Sequence, residues 1–567
     1  MGKTAGRTIA IGIQDFGELI RKGYFYVDKT DFIREWWENG DSVTLITRPS
    51  RFGKTLNMSM IEHFFSLDYA GQGELFEGLA IWEHDEYRRL QGEYPVISLS
   101  FANIKEREFR TARKKICQFL ANLYVKYSFL RDSEVLTETD RIFFDRILAM
   151  DMDDSDASLA LYQLSNFLYR YYGKKVIILL DEFDTPMQEA NMCGYLDELI
   201  TFTKSLFNAT FKMNPWLEQA ILFGITLVEQ YSMFSDLKNL EVVSATSNKY
   251  TTSFGFTESE VFAGLDECGY SDQKEQIKKW YDGFIFGDCK DIYNPWSILN
   301  FLDKGEYMTY WANTSSNSLV SRLIREGNCS LKENFESLLL DKTIRTQIDE
   351  QIVYSQLNGS EKAIWSLLLA SGYLKVLSFK KQNGGMSGKA AEYELSLTNM
   401  EVKLMFRDMV QEWFSQSDAD YNDFIKAMLQ GDIKAMNVYM NRVARDIYSY
   451  FDTTQISSEP ERFYHGVVLG IIVELQDRYI ITSNRESGFR RYDLMLEAKD
   501  PEMDDTVIME FKVRDQEDES TMIDTVAAAL RQIKEKQYAS KLISRGIAQE
   551  RIHCYGFAFQ GNHVLIG

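Results

Sequence analysis

Proline is scarce, with seven residues in 567, and no proline-, glycine- or serine-rich stretch could serve as a long tether. Domains in this chain are therefore expected to abut. Cysteine is sparse as well. Cys117, Cys193, Cys268, Cys289, Cys329 and Cys554 stand singly, with no Cys-x-x-Cys pair. This excludes a readable zinc or disulfide framework and predicts free thiols in a reducing cytoplasm. No uninterrupted apolar run is long enough to span a bilayer. The segment Met1-Gly-Lys-Thr-Ala-Gly-Arg7 carries positive charge with no apolar region behind it, so no secretory signal is expected. Positive charge is in deficit: 63 Lys and Arg against 84 Asp and Glu give −21. That argues against coating nucleic acid by bulk charge, but leaves room for an enzyme with a local cationic groove.

What is present is a globular composition, 45% hydrophobic and 14% aromatic, in a chain too long for one core. Ser42-Val-Thr-Leu-Ile-Thr47 reads as a buried strand, and Leu56 to Ser66 reads as a helix. Between them lies Arg48-Pro49-Ser50-Arg51-Phe52-Gly53-Lys54-Thr55. Strand, tight loop ending in Gly-Lys-Thr, then helix is the context of a phosphate-binding loop. Unpaired N–H groups at a helix start, together with the helix dipole, favour anions there. Lys54 would reach the β- and γ-phosphates and the Thr55 hydroxyl would sit on Mg²⁺. The generic pattern asks for glycine where this chain has Arg48. Downstream, the apolar run Lys174 to Leu180 ends in Asp181-Glu182-Phe183-Asp184. Asp181 at such a strand tip can hold Mg²⁺ through water, and Glu182 beside it can polarise an attacking water.

Up to about Phe254 strands alternate with helices, which implies a mostly parallel sheet covered by helices. Tyr94 to Ser100 and Trp216 to Thr226 read as further strands; Glu108 to Tyr127 and Ser158 to Tyr172 read as helices. From about Gly255 the pattern reads as helical and aromatic: Trp280-Tyr-Asp-Gly283, Tyr293-Asn-Pro-Trp-Ser297, Tyr310-Trp-Ala-Asn-Thr314. A helix near Ile364, strands at Tyr373–Phe379 and Glu392–Leu397, and the glycine-rich Asn383–Gly388 between them suggest a winged-helix-like module or a plain α/β connector. Two charged stretches, Lys105–Lys115 and Asp151–Asp156, read as a solvated helix face and an acidic turn.

Near the C-terminus a second constellation stands out. Glu461 to Gly470 begins an amphipathic helix, and Arg491–Leu496 and Val507–Val513 look like a hairpin with Asp504-Asp505 at its turn. Alternation sends residues two apart to one face, so Glu510 and Lys512 project together and Asp493 on the neighbouring strand can join them. Two carboxylates can bind Mg²⁺ and activate water at a phosphodiester. Lys512 can position or deprotonate that water and offset developing negative charge. A helix bearing Gln532 follows.

With both constellations in hand, the chain resembles, over nearly its whole length, the bacterial AAA-ATPase-like proteins with a C-terminal PD-(D/E)xK nuclease-like domain. The anchors are Tyr26-Val-Asp-Lys-Thr30, Arg48 to Thr55, Leu180 to Asp184, Trp280 to Gly283, Tyr293 to Ser297, Ser483 to Gly488, Tyr492-Asp493, Glu510-Phe-Lys512 and Gln532. Arginine at the position of Arg48 is usual in that family. The resemblance implies ATP bound by residues Arg48 to Thr55, Leu56 and Asp181, with Thr55 and Asp181 on Mg²⁺. It implies Mg²⁺ or Mn²⁺ on Asp493 and Glu510, with Lys512, Gln532 and, at the first site, Glu182 as catalytic groups. Glu461 would be an extra helix carboxylate. There are departures: Phe223-Gly224, Thr226 and Leu227 stand where the family often has Thr-Gly and an arginine, and Arg490 replaces a commonly small residue. Binding of ATP is therefore a safer expectation than fast hydrolysis.

The expected fold is α/β. It comprises a P-loop NTPase parallel sheet (1–254), a helical lid-like region (255–330), a winged-helix-like connector (331–440) and an α/β restriction-endonuclease-like domain (441–567). The expected function is an ATP-regulated, metal-dependent nuclease in the cytoplasm, with ATP and nucleic acid as partners and no membrane. Homo-oligomerisation is left open. The alternative is an ATP-dependent switch or scaffold whose nuclease-like domain binds without cutting.

Overall fold

The computed structural model describes residues 7–225, 233–311, 318–349, 354–357, 360–380, 392–415, 421–450, 475, 478–484, 492–501, 503–515, 519–535, 542–544, 546–560 and 563–567. Thr226, Leu227, Asn383–Gly388, Glu461 and Arg490 lie outside them. The chain divides into two compact units, Met1–Ser316 with Thr343–Val402, and Asn317–Lys342 with Lys403–Gly567.

In the first unit, apolar runs form strands β1 (Val43–Thr47), β2 (Val96–Ser100), β3 (Val176–Asp181), β4 (Leu217–Gly224) and β5 (Leu240–Val243). They pair in parallel in the order β2-β3-β4-β1-β5. Parallel neighbours need crossover connections, and long helices supply them. The largest are Lys54–Phe65, Phe109–Lys126, Asp154–Tyr172 and Leu196–Phe211. Every residue of β1 and β3 is buried, as both-face coverage requires. Ile46, Ile61, Phe64, Phe65, Ile177, Ile221 and Phe223 share one core cluster. Side chains of this kind contribute about 1.5–3 kcal/mol each when fully buried. The charged Lys105–Lys115 stretch forms surface ion pairs, Arg113 with Asp154 and Lys115 with Glu106. Asp153 caps the Asp154–Tyr172 helix by accepting from the Asp156 amide.

Beyond β5 the region that reads as helical also holds a small antiparallel sheet. Its strands are β6 (Phe256–Thr257), β7 (Phe284–Phe286) and β8 (Cys289–Tyr293), in the order β6-β8-β7. Strands this short leave almost no period-2 signal. The loop before β7 requires glycine. Gly283 has φ +116°, and a Cβ there would lie 2.1 Å from the Thr398 carbonyl oxygen. Next to it, burial, reinforced by the Asp291 carboxylate, pushes Asp282 up from 3.8 to about 6. A carboxyl raised on folding contributes stability that is complete below about pH 4 and lost as pH rises through about 6. The melting temperature of the wild type minus that of Asp282→Asn is therefore expected to fall between pH 4 and pH 7; a flat difference would contradict this.

A third sheet, β10-β11-β9, is made by β9 (Ile344–Gln347), β10 (Leu374–Lys380) and β11 (Glu392–Leu397), antiparallel in both pairings. The helix Glu361–Ala370 precedes β10, and its residues Ala363 to Leu369 are all buried. A helix buried on every side along this stretch is a packing element.

In the second unit, β12 (Tyr479–Asn484), β13 (Tyr492–Ala498), β14 (Thr506–Val513), β15 (Ile552–Gln560) and β16 (His563–Ile566) form a mixed sheet in sequence order. Only the β14–β15 pair is parallel, and the helix Met522–Glu535 makes its crossover. That helix packs on the sheet through Ile533 and Leu530 against Ile508, Met495, Ile552 and Cys554. On the helix Ile433–Tyr450, Asn437 and Asn441 exchange hydrogen bonds with the backbone of Ile566 and Val564. They pair the edge strand β16 that would otherwise be open.

Candidate active sites

The first site is built where β1 gives way to the Lys54–Phe65 helix. Arg51 and Gly53 take positive φ, +64° and +84°, so successive peptide groups turn alternately. Such a turn forms a concavity of N–H groups suited to anions. Gly53 is required for its backbone, since a Cβ there would meet nothing within 4 Å. The buried Lys54 ammonium donates to the carbonyls of Arg48 (2.9 Å) and Pro49 (2.8 Å). Two of its three donors thus hold the loop, and one is left for an incoming oxygen. Burial lowers the Lys54 pKa, with Asp181, Asp184 and Glu182 opposing.

Asp181 ends β3, with β4 between it and β1. The Thr55 hydroxyl nevertheless donates to Asp181 Oδ2 at 2.6 Å. Burial raises the Asp181 pKa, opposed by that hydrogen bond. Glu182 adopts φ +50° and accepts from the Thr185 hydroxyl at 2.9 Å. Its amide donates to Asp181 Oδ1 at 3.0 Å. Asp184 Oδ2 accepts from the Ile225 amide at 2.9 Å, which ties the end of β4 to this loop.

The Arg48 guanidinium turns away from the loop. It donates to the carbonyls of Thr47, Ser244 and Lys249 and lies over the rings of Phe286 (4.6 Å) and Phe254 (5.6 Å). Burial pushes its pKa down to about 9. Position in the motif suggests a phosphate ligand; the fold uses the side chain to clip β5 to the loop. Arg48→Ala is expected to destabilise the unit by about 2–4 kcal/mol in denaturant titrations, and Arg48→Lys to recover less than half, because an ammonium cannot span the same carbonyls. Phe52 is buried against Phe284 (4.8 Å) and Phe286 (5.4 Å), and Arg51 stacks on Trp296 at 4.2 Å. Pro49 abuts Gly372, where a Cβ would lie 2.8 Å from Pro49 Cγ. Leu56 packs at the margin of the core cluster. These contacts, made by residues far along the chain, carried no sequence signal beyond aromatic richness.

The second site lies on the C-terminal sheet. The β13–β14 register sets Asp493 directly opposite Glu510, and the β14–β15 register sets Gly556 on the other side. Directly paired residues share a sheet face. A Cβ at Gly556 would meet Val526 O at 2.8 Å and Ala529 Cβ at 3.1 Å, so that face is covered by the Met522–Glu535 helix. Glu510 is fully buried, and neither of its carboxylate oxygens has a hydrogen-bond partner among the described residues. Gln532 faces inward on the covering helix, and its Nε2 likewise has none. Lys512, two residues on, is half-buried. A buried carboxylate without partners is costly unless something charged is bound to it, and the donor set suits a hard divalent cation. Among the described residues no trio of His, Cys, Asp or Glu gathers to hold a metal, so a cation here would draw on Glu510, Asp493 and further oxygens.

Residues 10–234 match the family of predicted AAA-ATPases, and residues 459–567 match the PD-(D/E)XK nuclease superfamily. The chain joins an AAA-ATPase-like region to a PD-(D/E)XK nuclease-superfamily region. It is also similar to an uncharacterized protein from the region 5′ of vnfD in Azotobacter chroococcum mcd 1. The two are 23% identical over 574 residues, which cover 98% of this chain and 96% of that relative. Regions of these two kinds generally use ATP and divalent metals, and support ATPase and nuclease activity. The parallel sheet carrying the Gly-Lys-Thr loop and the mixed sheet carrying Glu510 are the corresponding folds. Among the described residues no helix is long and apolar enough to cross a membrane.

Proposed function

We propose that the protein is a nuclease of nucleic-acid phosphodiesters that depends on a divalent metal and is regulated by ATP. The observation that carries this reading is the buried carboxylate of Glu510, paired opposite Asp493, with Gln532 Nε2 on the covering helix, both without hydrogen-bond partners among the described residues. Asp493 and Glu510 would hold Mg²⁺ or Mn²⁺, which when bound supplies Lewis acidity at the phosphodiester and a more acidic water. Lys512 orients the attacking water, takes or shares its proton at Nζ, and offsets charge on the phosphate oxygens. Gln532 Nε2 donates to an oxygen of the substrate or of the water. The Met522–Glu535 helix excludes solvent, which strengthens each of these interactions.

At the first site Lys54 and the amides of the loop bind the phosphates of ATP, and Thr55 and Asp181 hold its Mg²⁺. Glu182 positions water there. Cys117, Cys193, Cys268, Cys289 and Cys554 are free thiols, in keeping with a cytoplasmic protein. The net charge of −21 favours one alternative: a nucleotide-driven switch or scaffold that binds without cutting. Thermal unfolding of the full chain with added Mn²⁺ tests the metal reading. The wild type is expected to melt at higher temperature with Mn²⁺, and the shift is expected to shrink in Asp493→Asn. An equal shift in both would sink the assignment of Asp493 and Glu510.

A further inference from the structure

The phosphate-binding loop is not shaped by residues 10–234 alone. The Ser50 carbonyl accepts from two buried side chains of the later chain, Trp311 Nε1 at 3.0 Å and Asn294 Nδ2 at 3.3 Å. Trp311 Nε1 also lies 3.0 Å from Ser50 Oγ. The two donors are braced by one carboxylate. Glu401, fully buried, accepts from the Trp311 backbone amide at 2.6 Å and from the Ser297 hydroxyl at 2.8 Å. Ser297 lies in the first turn of the Pro295–Lys304 helix, which Asn294 caps by accepting from the amides of Trp296 and Ser297. Two residues further along the loop, the Phe52 carbonyl accepts from the Gly255 amide at 3.3 Å.

In a trans peptide the C=O of one residue and the N–H of the next point in opposite directions. Drawing the Ser50 and Phe52 carbonyls outward therefore aims the Arg51 and Gly53 amides to the other side of the loop. These are the two positive-φ residues, and neither amide bonds to anything among the described residues. We infer that Trp311 and Asn294, braced by Glu401, are positioning residues of the nucleotide site, setting the two loop amides that meet the phosphates. All three belong to the stretch between the two family matches, which neither match covers. The inference deepens the nucleotide reading above and rests on it.

The test uses the full chain with MgATP and inorganic pyrophosphate as probes, measured by equilibrium binding, and with ligand-free unfolding measured in parallel. Trp311→Phe keeps the ring and removes the donor. Asn294→Ser keeps an N-cap acceptor for the amides of Trp296 and Ser297, adds no charge, and removes the amide donor to Ser50. Each is expected to weaken both probes by about tenfold, the size of one or two lost hydrogen bonds. A merely structural role would lower the unfolding temperature and leave the affinity of the folded protein unchanged. Unchanged affinity in Asn294→Ser overturns the inference even if Trp311→Phe does not fold. A wild type that binds neither probe is a different result: it removes the nucleotide reading, and this inference with it.

Discussion

Replacing Glu510 with glutamine is expected to abolish cleavage and, at the same time, to make the ligand-free protein more stable. The side chain sits at full burial in the centre of β14, with neither carboxylate oxygen hydrogen-bonded among the described residues. An ionised carboxylate in that position opposes folding, whereas the amide has the same shape and no charge. The gain should be about 1–2 kcal/mol in denaturant titrations without metal. Cleavage should fall by about a thousandfold or more, because the amide cannot replace an anionic metal ligand. The Mn²⁺-dependent rise in melting temperature should vanish in parallel. A residue kept for packing would behave in the opposite way, losing stability on substitution and leaving any activity of the folded protein in place.

The second large effect is expected at Lys54. Its ammonium is buried, spends two donors on Arg48 and Pro49, and has one more to give. A charge-assisted hydrogen bond to a phosphate oxygen accounts for about a hundredfold in affinity. Lys54→Ala should therefore weaken ATP binding by about two orders of magnitude. At ATP concentrations near a hundred times the wild-type dissociation constant, the wild type should gain about 2.7 kcal/mol of stability and the variant almost none. Equal stabilisation of both proteins would place the nucleotide elsewhere.

Much of this architecture could be read from residue patterns, for definable reasons. The strands of the parallel sheet announce themselves as apolar runs because both faces are covered. The Thr55–Asp181 contact could be anticipated because a Gly-Lys-Thr loop and a strand-end carboxylate are the two halves of one kind of site. The facing of Asp493 and Glu510 follows from period-2 alternation in a hairpin. The inward position of Gln532 follows from the helical spacing of Thr525, Val526, Ala529, Gln532 and Ile533.

Other features had no local signal. Whether Arg48 faces phosphate or protein depends on where the carbonyls of Ser244 and Lys249 come to rest, some two hundred residues on. Trp311 and Asn294 lie within motifs that stand out in the sequence, yet nothing local places both on Ser50, or places Glu401, about ninety residues after Trp311, where it braces them. The β6-β8-β7 sheet escaped because its strands are too short to show periodicity.

Nucleic-acid cleavage under nucleotide control can be read in a single assay. Labelled double-stranded DNA, single-stranded DNA and RNA would be incubated with Mg²⁺ or Mn²⁺, with and without ATP. Wild type, Lys512→Ala and Lys54→Ala would be compared. Cleavage by the wild type, its loss in Lys512→Ala, and a response to ATP that Lys54→Ala no longer shows are the expected results. Absence of cleavage under every condition, by a wild type that still binds ATP, would contradict the nuclease reading.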